Sequence, residues 1–200
     1  MNIGRLAFAG LMTSVMLFAS QGEQKAIGSK PKKGNGEISQ VVKTGYDATK
    51  LLLKTLGGNM KKHMKSGGPA DALNFCALNA SKLATEVDKK LGKNVSVKRV
   101  TLKPRNPANE ATKDERKVLE ALQTLHETGV RLPRHLIQKT DDGYKFYKPL
   151  KITKKVCLKC HGANIDPKLE KTIAKFYPTD KATGYKMGDL RGAIVVTIKK

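Results

Sequence analysis

The sequence lacks tryptophan, has only three cysteines, and contains 17 acidic residues against 39 Lys and Arg. Its hydrophobic content of 39% is low for a globular chain, and the excess of basic residues explains part of that deficit. Apart from Leu6 to Ala19, no stretch is apolar enough to cross a bilayer. There is no internal repeat, and the lysines are dispersed along the chain. Its 200 residues are nevertheless enough for one domain with a real core.

The N-terminus has the order of parts of a secretory signal peptide. A short, positively charged start, Met1 to Arg5, precedes the uncharged run from Leu6 to Ala19, and small residues follow up to Gly22. The run is too short for a typical membrane span, although a membrane anchor is the alternative. We therefore predict a cleaved signal peptide at residues 1–22 and a soluble mature protein that is secreted or located in the periplasm.

The formal charge of +22 would usually indicate a nucleic-acid partner, with an anionic membrane or an acidic protein as alternatives. Export makes nucleic acid an unsuitable partner. The expected partners are therefore an acidic redox or signalling protein, or an anionic membrane surface. A generally basic proteome is the competing explanation of the charge.

The mature chain is expected to begin with a flexible linker at residues 23–36, which are charged, glycine-rich and aperiodic, followed by a domain at residues 37–200. Apolar residues recur at helical spacing from Ile38 to Met64, and Gly57-Gly58 predicts a bend or break in that helix. A second helix is expected to begin at Pro69 and to end before Gly92.

The rest of the chain predicts further strands and helices. Residues 94–102 alternate as a strand does, and a change of phase between Val97 and Val100 predicts a bulge. Four more elements are expected, namely a helix with a capping-box pattern, a hairpin, a short helix and a final strand, at residues 112–126, 141–152, 166–177 and 191–198. Helices segregated from a small antiparallel sheet predict the α+β class.

Two of the three cysteines lie in the segment VCLKCHG, where Cys157 and Cys160 are followed directly by His161. This C-x-x-C-H spacing is typical of covalent haem attachment, in which two thiols hold the porphyrin and the histidine binds the iron. Structural zinc would need two more ligands, and no second pair at metal-binding spacing is present. A thioredoxin-like dithiol would lie near a βαβ unit, which the sequence does not predict. We therefore predict one covalent haem c.

The second axial ligand is less clear from the motif alone. Met187 lies downstream, and His/Met ligation is common among electron-carrying cytochromes c. Cys76 is left over in an oxidising compartment and lies on the apolar face of its helix, where an inert buried cysteine is the simplest interpretation. The remaining candidates are better explained by core packing or by surface exposure: Met60, Met64, His63, His126 and His135.

Further landmarks occur in a fixed order: Cys76, RNPANE at Arg105–Glu110, YKFYKPL before CLKCHG, and YPTDKATGYKMGDLRGAIVVTI ending at Ile198. With them the chain resembles, from Ile38 to Ile198, a family of exported single-haem c-type domains with a PAS-like fold. The resemblance implies an antiparallel sheet flanked by helices, covalent haem at Cys157 and Cys160, and axial ligation by His161 and Cys76. It also places Arg105 in a characteristic loop, where its fit to carboxylates makes it a candidate contact for a haem propionate.

Two functions follow from these expectations. In redox or gas sensing, a change of oxidation state or a molecule such as nitric oxide or carbon monoxide would release Cys76 and shift its helix. In electron transfer, both ligands would stay fixed. No enzymatic activity is expected, because a six-coordinate iron has no open position and no acid–base pair lies beside the motif. A transmitter domain, which larger receptors of this type carry, is not found in the sequence.

Overall fold

The computed structural model describes residues 34–200, so the predicted signal peptide and most of the predicted linker lie outside the described residues. Helix α1 begins at Gly34, so the last residues of the predicted linker are helical. The helices are α1 (Gly34–Ser66), α2 (Gly68–Leu91), α3 (Lys113–Glu127), α4 (Leu158–His161) and α5 (Pro167–Phe176). The strands are β1 (Val95–Val100), β2 (Leu136–Thr140), β3 (Gly143–Lys151) and β4 (Leu190–Lys199). None of the described helices combines the length and apolarity that crossing a membrane requires.

Helices α1 and α2 form a hairpin that turns at Gly67. His63 fixes the turn, because its Nδ1 atom lies 2.9 Å from Oδ2 of Asp71 and its ring stacks on Phe75 at a centroid distance of 4.1 Å. Helix α2 begins with a proline in its first turn and ends at Gly92, which has a φ of 86°. The predicted start and end of α2 are confirmed.

The predicted break at Gly57-Gly58 is wrong, since α1 is one continuous helix of 33 residues. Each glycine costs a helix about 1 kcal/mol relative to alanine. That cost is offset by packing of α1 along α2 and across three strands of the sheet. Tertiary contacts of this kind are not visible in local sequence.

The four strands form one antiparallel sheet in the order β1-β4-β3-β2, with the C-terminal strand in its interior. Both faces of the sheet are covered. Ile194 and Val196 face the α1–α2 hairpin, whereas Ala193 and Val195 face α3, and all four are at most 1% exposed. Burial on both faces explains the uninterrupted apolar run in β4. The α+β class and the N-terminal helical segment are confirmed.

Strand β1 has no bulge, in contrast to the prediction, because its pairing with β4 is unbroken from Val95 to Val100. Val97 packs against the helical hairpin, and Val100 packs on the opposite face against α3. The change of phase in the sequence therefore reflects a strand that is buried on both faces. The same alternation turns Arg99 towards the helical hairpin, on the side of Val97.

The other predicted elements form as expected. Thr112 and Glu115 make the predicted capping box at the start of α3, and Glu115 is 2% exposed with Lys98 as its ion-pair partner at 3.0 Å. Asp166 caps α5 by accepting hydrogen bonds from the backbone N–H groups of Lys168 and Leu169. These are local interactions between residues a few positions apart, so the sequence predicts them well.

Gly45 allows α1 to approach the sheet closely. A Cβ atom at this position would overlap the ring of Phe146, which is fully buried. Because that ring is enclosed and cannot move away, we expect Gly45→Ala to lower the free energy of unfolding by about 1–3 kcal/mol. Urea denaturation followed by circular dichroism measures the change.

Gly36→Ala is the matched control on the same helix, because a Cβ atom at Gly36 would contact no other part of the protein within 4 Å. Alanine favours helix over glycine, so the control is expected to leave stability unchanged or slightly raised. Equal losses in both variants would contradict a close approach at Gly45.

Candidate haem site

A cavity of about 330 Å³ lies between the helical hairpin, the sheet and the C-x-x-C-H segment. Small side chains form part of its helical wall. Helix α2 presents Ala72, Cys76 and Ala80 at successive turns, and α1 presents Gly57 opposite them. These residues cannot fill the space between the helices, so the hairpin leaves a hollow where a core would otherwise close.

The cavity brings together five residues that were predicted from the sequence. Cys76 comes from α2, Arg105 from the loop after β1, Cys157 from a short 3₁₀ turn (Lys155–Cys157), and Cys160 and His161 from α4. Their convergence from distant parts of the chain was not visible in any local pattern. The apolar part of the wall consists of Leu53, Leu56, Met60, Met64, Ala72, Leu73, Ala80, Leu150 and Val156.

The imidazole of His161 is held in one orientation by the loop that follows α5. Its Nδ1–H donates to the carbonyl oxygen of Ala182 at 2.8 Å, which leaves Nε2 without a proton. The backbone carbonyl of His161 accepts from the N–H of Tyr185 at 2.9 Å, and that of Gly162 accepts from Gly184 at 3.0 Å. A metal ligand is normally oriented by such a hydrogen bond from its other ring nitrogen. His161 is therefore arranged to offer Nε2 as a ligand.

Burial, with the nearby charges of Arg191 and Arg105, lowers the pKa of His161 to about 3. The imidazole is therefore neutral at physiological pH, as metal binding requires. Burial also raises the pKa of the Cys76 thiol, an effect that Arg99 opposes. The pKa of Cys160 is raised by burial too, and Arg105 opposes it. In the chain itself both thiols are protonated near neutral pH.

Arg105 pairs within the protein. Its Nε and Nη2 atoms donate to Oδ2 of Asp180 at 3.1 and 2.9 Å, and Nη2 also donates to the carbonyl oxygens of Cys160 and Ala182. Asp180 in turn accepts from the N–H of Ala182 at 2.8 Å. The charge of Arg105 is thus paired with Asp180. Through its other contacts Arg105 positions α4 and the carbonyl that orients His161. The propionate contact of Arg105 stays a prediction.

Met187, the alternative axial candidate, does not line the cavity and is 47% exposed. Met60 and Met64, which were assigned to core packing, line the cavity, because the unbroken helix α1 places them in line with Leu53 and Leu56.

The other histidines are engaged elsewhere. His63 contacts Asp71, as described above, and His135 lies 3.0 Å from the hydroxyl of Tyr46. His126 lies 3.9 Å from Asp189 and lines a second cavity of about 580 Å³ between α3 and the start of β4. The two cavities share Arg191, and the second is lined by none of the residues predicted to hold the haem.

Three charged residues of the site, Arg99, Arg191 and Asp180, were not predicted. Arg99 lines the cavity from β1, and an arginine at an inward position of an alternating strand was the available signal. Asp180, the partner of Arg105, lies in a polar loop, and nothing in its local sequence distinguishes it. Only the fold brings residues 105 and 180 together.

Comparison with known proteins agrees with the resemblance seen in the sequence. The family model described as Tll0287-like matches residues 20–199. Among solved structures, the cyanobacterial haem protein Tll0287 is similar with a TM-score of 0.55 and 25% identity, and the match covers 82% of this chain and 96% of that one. Comparison with curated proteins gave no match. The chain therefore belongs to the Tll0287-like family.

Proposed function

We propose that this chain is an exported protein that binds one haem covalently and acts in redox or small-ligand sensing. The observation that carries the proposal is the convergence of Cys76, Cys157, Cys160 and His161 on one cavity. The solved structure of a related protein is that of a haem protein, which supports the same cofactor here. No catalytic role is part of the proposal.

The residues present fit a haem better than a bare metal ion. The described part of the chain has no group of three or more His, Cys, Asp or Glu side chains that could hold a metal ion, whereas structural zinc takes four ligands. A haem brings its own four nitrogen ligands and asks the protein only for axial donors and an apolar enclosure. Cys157 and Cys160 would hold the porphyrin through thioether bonds, and His161 and Cys76 would be the axial ligands.

A bound haem supplies a one-electron couple and an iron that binds small gaseous ligands. The chain supplies a helix whose position can report on it. Helix α2 is anchored in apolar clusters at Leu73 and Val87, which are 6% and 1% exposed. Between these anchors, Cys76 and Ala80 face the cavity. Release of Cys76 would therefore act on the part of α2 that borders the cavity, and α2 is the element we propose to transmit a signal.

Electron transfer is the second candidate, and the surface around the motif favours it. Four exposed lysines, Lys151, Lys154, Lys155 and Lys159, surround Cys157, and the chain has no acidic residue between Asp142 and Asp166. None of the four forms an ion pair with another described residue, and the adjoining Val156 is 38% exposed. An apolar edge ringed by unpaired lysines suits an acidic protein partner. We call these four lysines with Val156 the motif surface.

The motif surface predicts a localised dependence on charge. Replacing Lys154, Lys155 and Lys159 with glutamine is expected to slow electron exchange with a small acidic redox protein such as a flavodoxin roughly tenfold at low salt. The difference should fall as ionic strength rises, because salt screens exposed charges. Stopped-flow absorbance measures the rate.

The matched control replaces Lys89, Lys90 and Lys93 with glutamine, which removes the same charge from exposed positions at the end of α2. Equal slowing by the two triple variants would show that total charge, not the motif surface, determines the rate. Binding to phosphatidylglycerol vesicles is measured for both variants. If only the motif-surface variant loses this binding, the motif surface is a membrane-binding surface instead.

Absorption and electron paramagnetic resonance spectra of the protein matured in a host that attaches c-type haem test the proposal. If the protein is a sensor, the axial ligands are expected to differ between the oxidised and reduced states. If it transfers electrons, the same pair of ligands is expected in both states. A colourless protein that binds stoichiometric zinc would overturn both.

A further inference from the structure

Three arginines line the proposed haem cavity, namely Arg99 from β1, Arg105 from the following loop and Arg191 from β4. Burial lowers the pKa of Arg191, and the charges of Arg99 and Arg105 add to the effect. Burial likewise lowers the pKa of Arg99. The guanidinium group of Arg191 is therefore close enough to those of Arg99 and Arg105 to be repelled by both in a poorly solvated place. Such a cluster is unfavourable unless negative charge balances it.

Only one of the three arginines forms an ion pair with a carboxylate of the described residues. Arg105 has Asp180 as its carboxylate partner at 2.9 Å. The side chain of Arg99 forms no hydrogen bond or ion pair with any other described residue. Arg191 donates to two neutral oxygens, the hydroxyl of Thr101 at 2.8 Å and the carbonyl of Lys103 at 3.2 Å, and lies 5.3 Å from the ring centroid of Tyr185. Two partly buried arginines thus form no hydrogen bond or ion pair with a carboxylate of the described residues, and only the more distant charge of Asp180 acts on Arg191.

The positions of these charges give the cavity two unlike sides. The wall formed by α1 and α2 is apolar, whereas the sheet side carries the arginines. A ligand that matches both sides is a flat apolar body with two carboxylates at one edge. Haem has this composition, since it carries two propionate groups.

We propose that Arg99 and Arg191 bind the two carboxylates of the porphyrin, and that Arg105 is a positioning residue with no such contact. This inference rests on the proposed haem function. Arginine is suited to the role because its planar fork of donors matches a carboxylate. The arginine pair makes the cavity selective for a dicarboxylate porphyrin over an uncharged one.

The test uses the full chain with Cys157 and Cys160 replaced by alanine, so that porphyrin binding is reversible. Haemin and haemin dimethyl ester, whose propionates carry no charge, are titrated into this protein and followed by Soret absorbance. We expect haemin to bind at least about 100-fold more tightly than the ester. Arg99→Leu and Arg191→Leu should each lower the ratio of haemin affinity to ester affinity about tenfold.

Arg134→Leu is the control, because it removes the same charge from an exposed position outside the cavity. It should leave the ratio of the two affinities unchanged. Arg99→Lys and Arg191→Lys keep the charge without the planar fork and should give intermediate ratios. The ratio is measured within each folded variant, so a loss of stability cannot imitate the result.

The outcomes separate this inference from the haem proposal itself. If haemin and its ester bind equally, and the arginine variants do not change their ratio, the arginine assignment is overturned while haem binding stands. If neither porphyrin binds, the proposed function is lost together with the inference. A ratio that falls in Arg105→Leu as much as in Arg99→Leu would contradict the distinction between the three arginines.

Discussion

Replacing both Cys157 and Cys160 with alanine is expected to abolish covalently retained haem. Thioether bonds survive acid–acetone extraction and denaturing electrophoresis, and the two alanines leave no thiol in the C-x-x-C-H motif to form them. The expected result is a complete loss of haem-stained protein on a denaturing gel, with the polypeptide still present. Each single variant should retain haem through one bond at reduced yield.

Cys76→Ala is the control for this experiment, because it removes the third thiol without touching the motif. It should keep full covalent haem after denaturation. If haem stain survives in the Cys157→Ala/Cys160→Ala protein, attachment through the motif is excluded. If it disappears in Cys76→Ala alone, the leftover cysteine serves attachment and not iron.

The sequence predicts elements well where the determining interactions are local. The capping box of Thr112 and Glu115 and the aspartate cap at Asp166 each join residues no more than three positions apart, and both form as predicted. The C-x-x-C-H motif is local in the same sense. Its helix and histidine need no distant information to be recognised.

Prediction fails where distant segments decide the outcome. Helix α1 continues through Gly57-Gly58 because α2 and the sheet pack along it, and this continuity places Met60 and Met64 at the cavity. Arg105 was correctly placed near the site, but its partner Asp180 lies 75 positions away. The alternation in β1 predicted a strand, yet it gave no indication that both faces are covered.

The site also depends on the loop at residues 180–185, whose sequence contains no motif that indicates this role. In residues 180–185, the carbonyl oxygen of Ala182 orients His161, and the carboxylate of Asp180 accepts hydrogen bonds from Arg105. Backbone N–H groups of the same loop donate to the carbonyl oxygens of His161 and Gly162. The loop thereby fixes His161, and α2 brings Cys76 to the same cavity. His161 is thus held by a network of hydrogen bonds, whereas the side chain of Cys76 forms no hydrogen bond with another described residue. This asymmetry is what a ligand switch would require.

Cys76→Ala is expected to leave haem attached but to change its spin state and raise its reduction potential. A thiolate is a strong donor that favours ferric over ferrous iron, so its removal removes that preference. We expect a rise of at least about 0.1 V, a modest part of the roughly 0.8 V that axial ligands control. Potentiometric titration measures the potential, and electron paramagnetic resonance should change from low-spin ferric with thiolate character to high-spin. Carbon monoxide should bind the reduced variant faster than the unmodified protein.

Two further variants sharpen the result. Met187→Ala removes an exposed methionine outside the cavity and should change neither spectrum nor potential. Cys76→Met replaces the thiolate with a thioether at the same place and should restore a low-spin spectrum at a potential higher still, as in His/Met cytochromes. A Cys76→Ala protein with the original spectrum and potential would exclude Cys76 as a ligand. Met60 and Met64 would then be the residues to replace, because both line the cavity from α1, opposite the small side chains of α2.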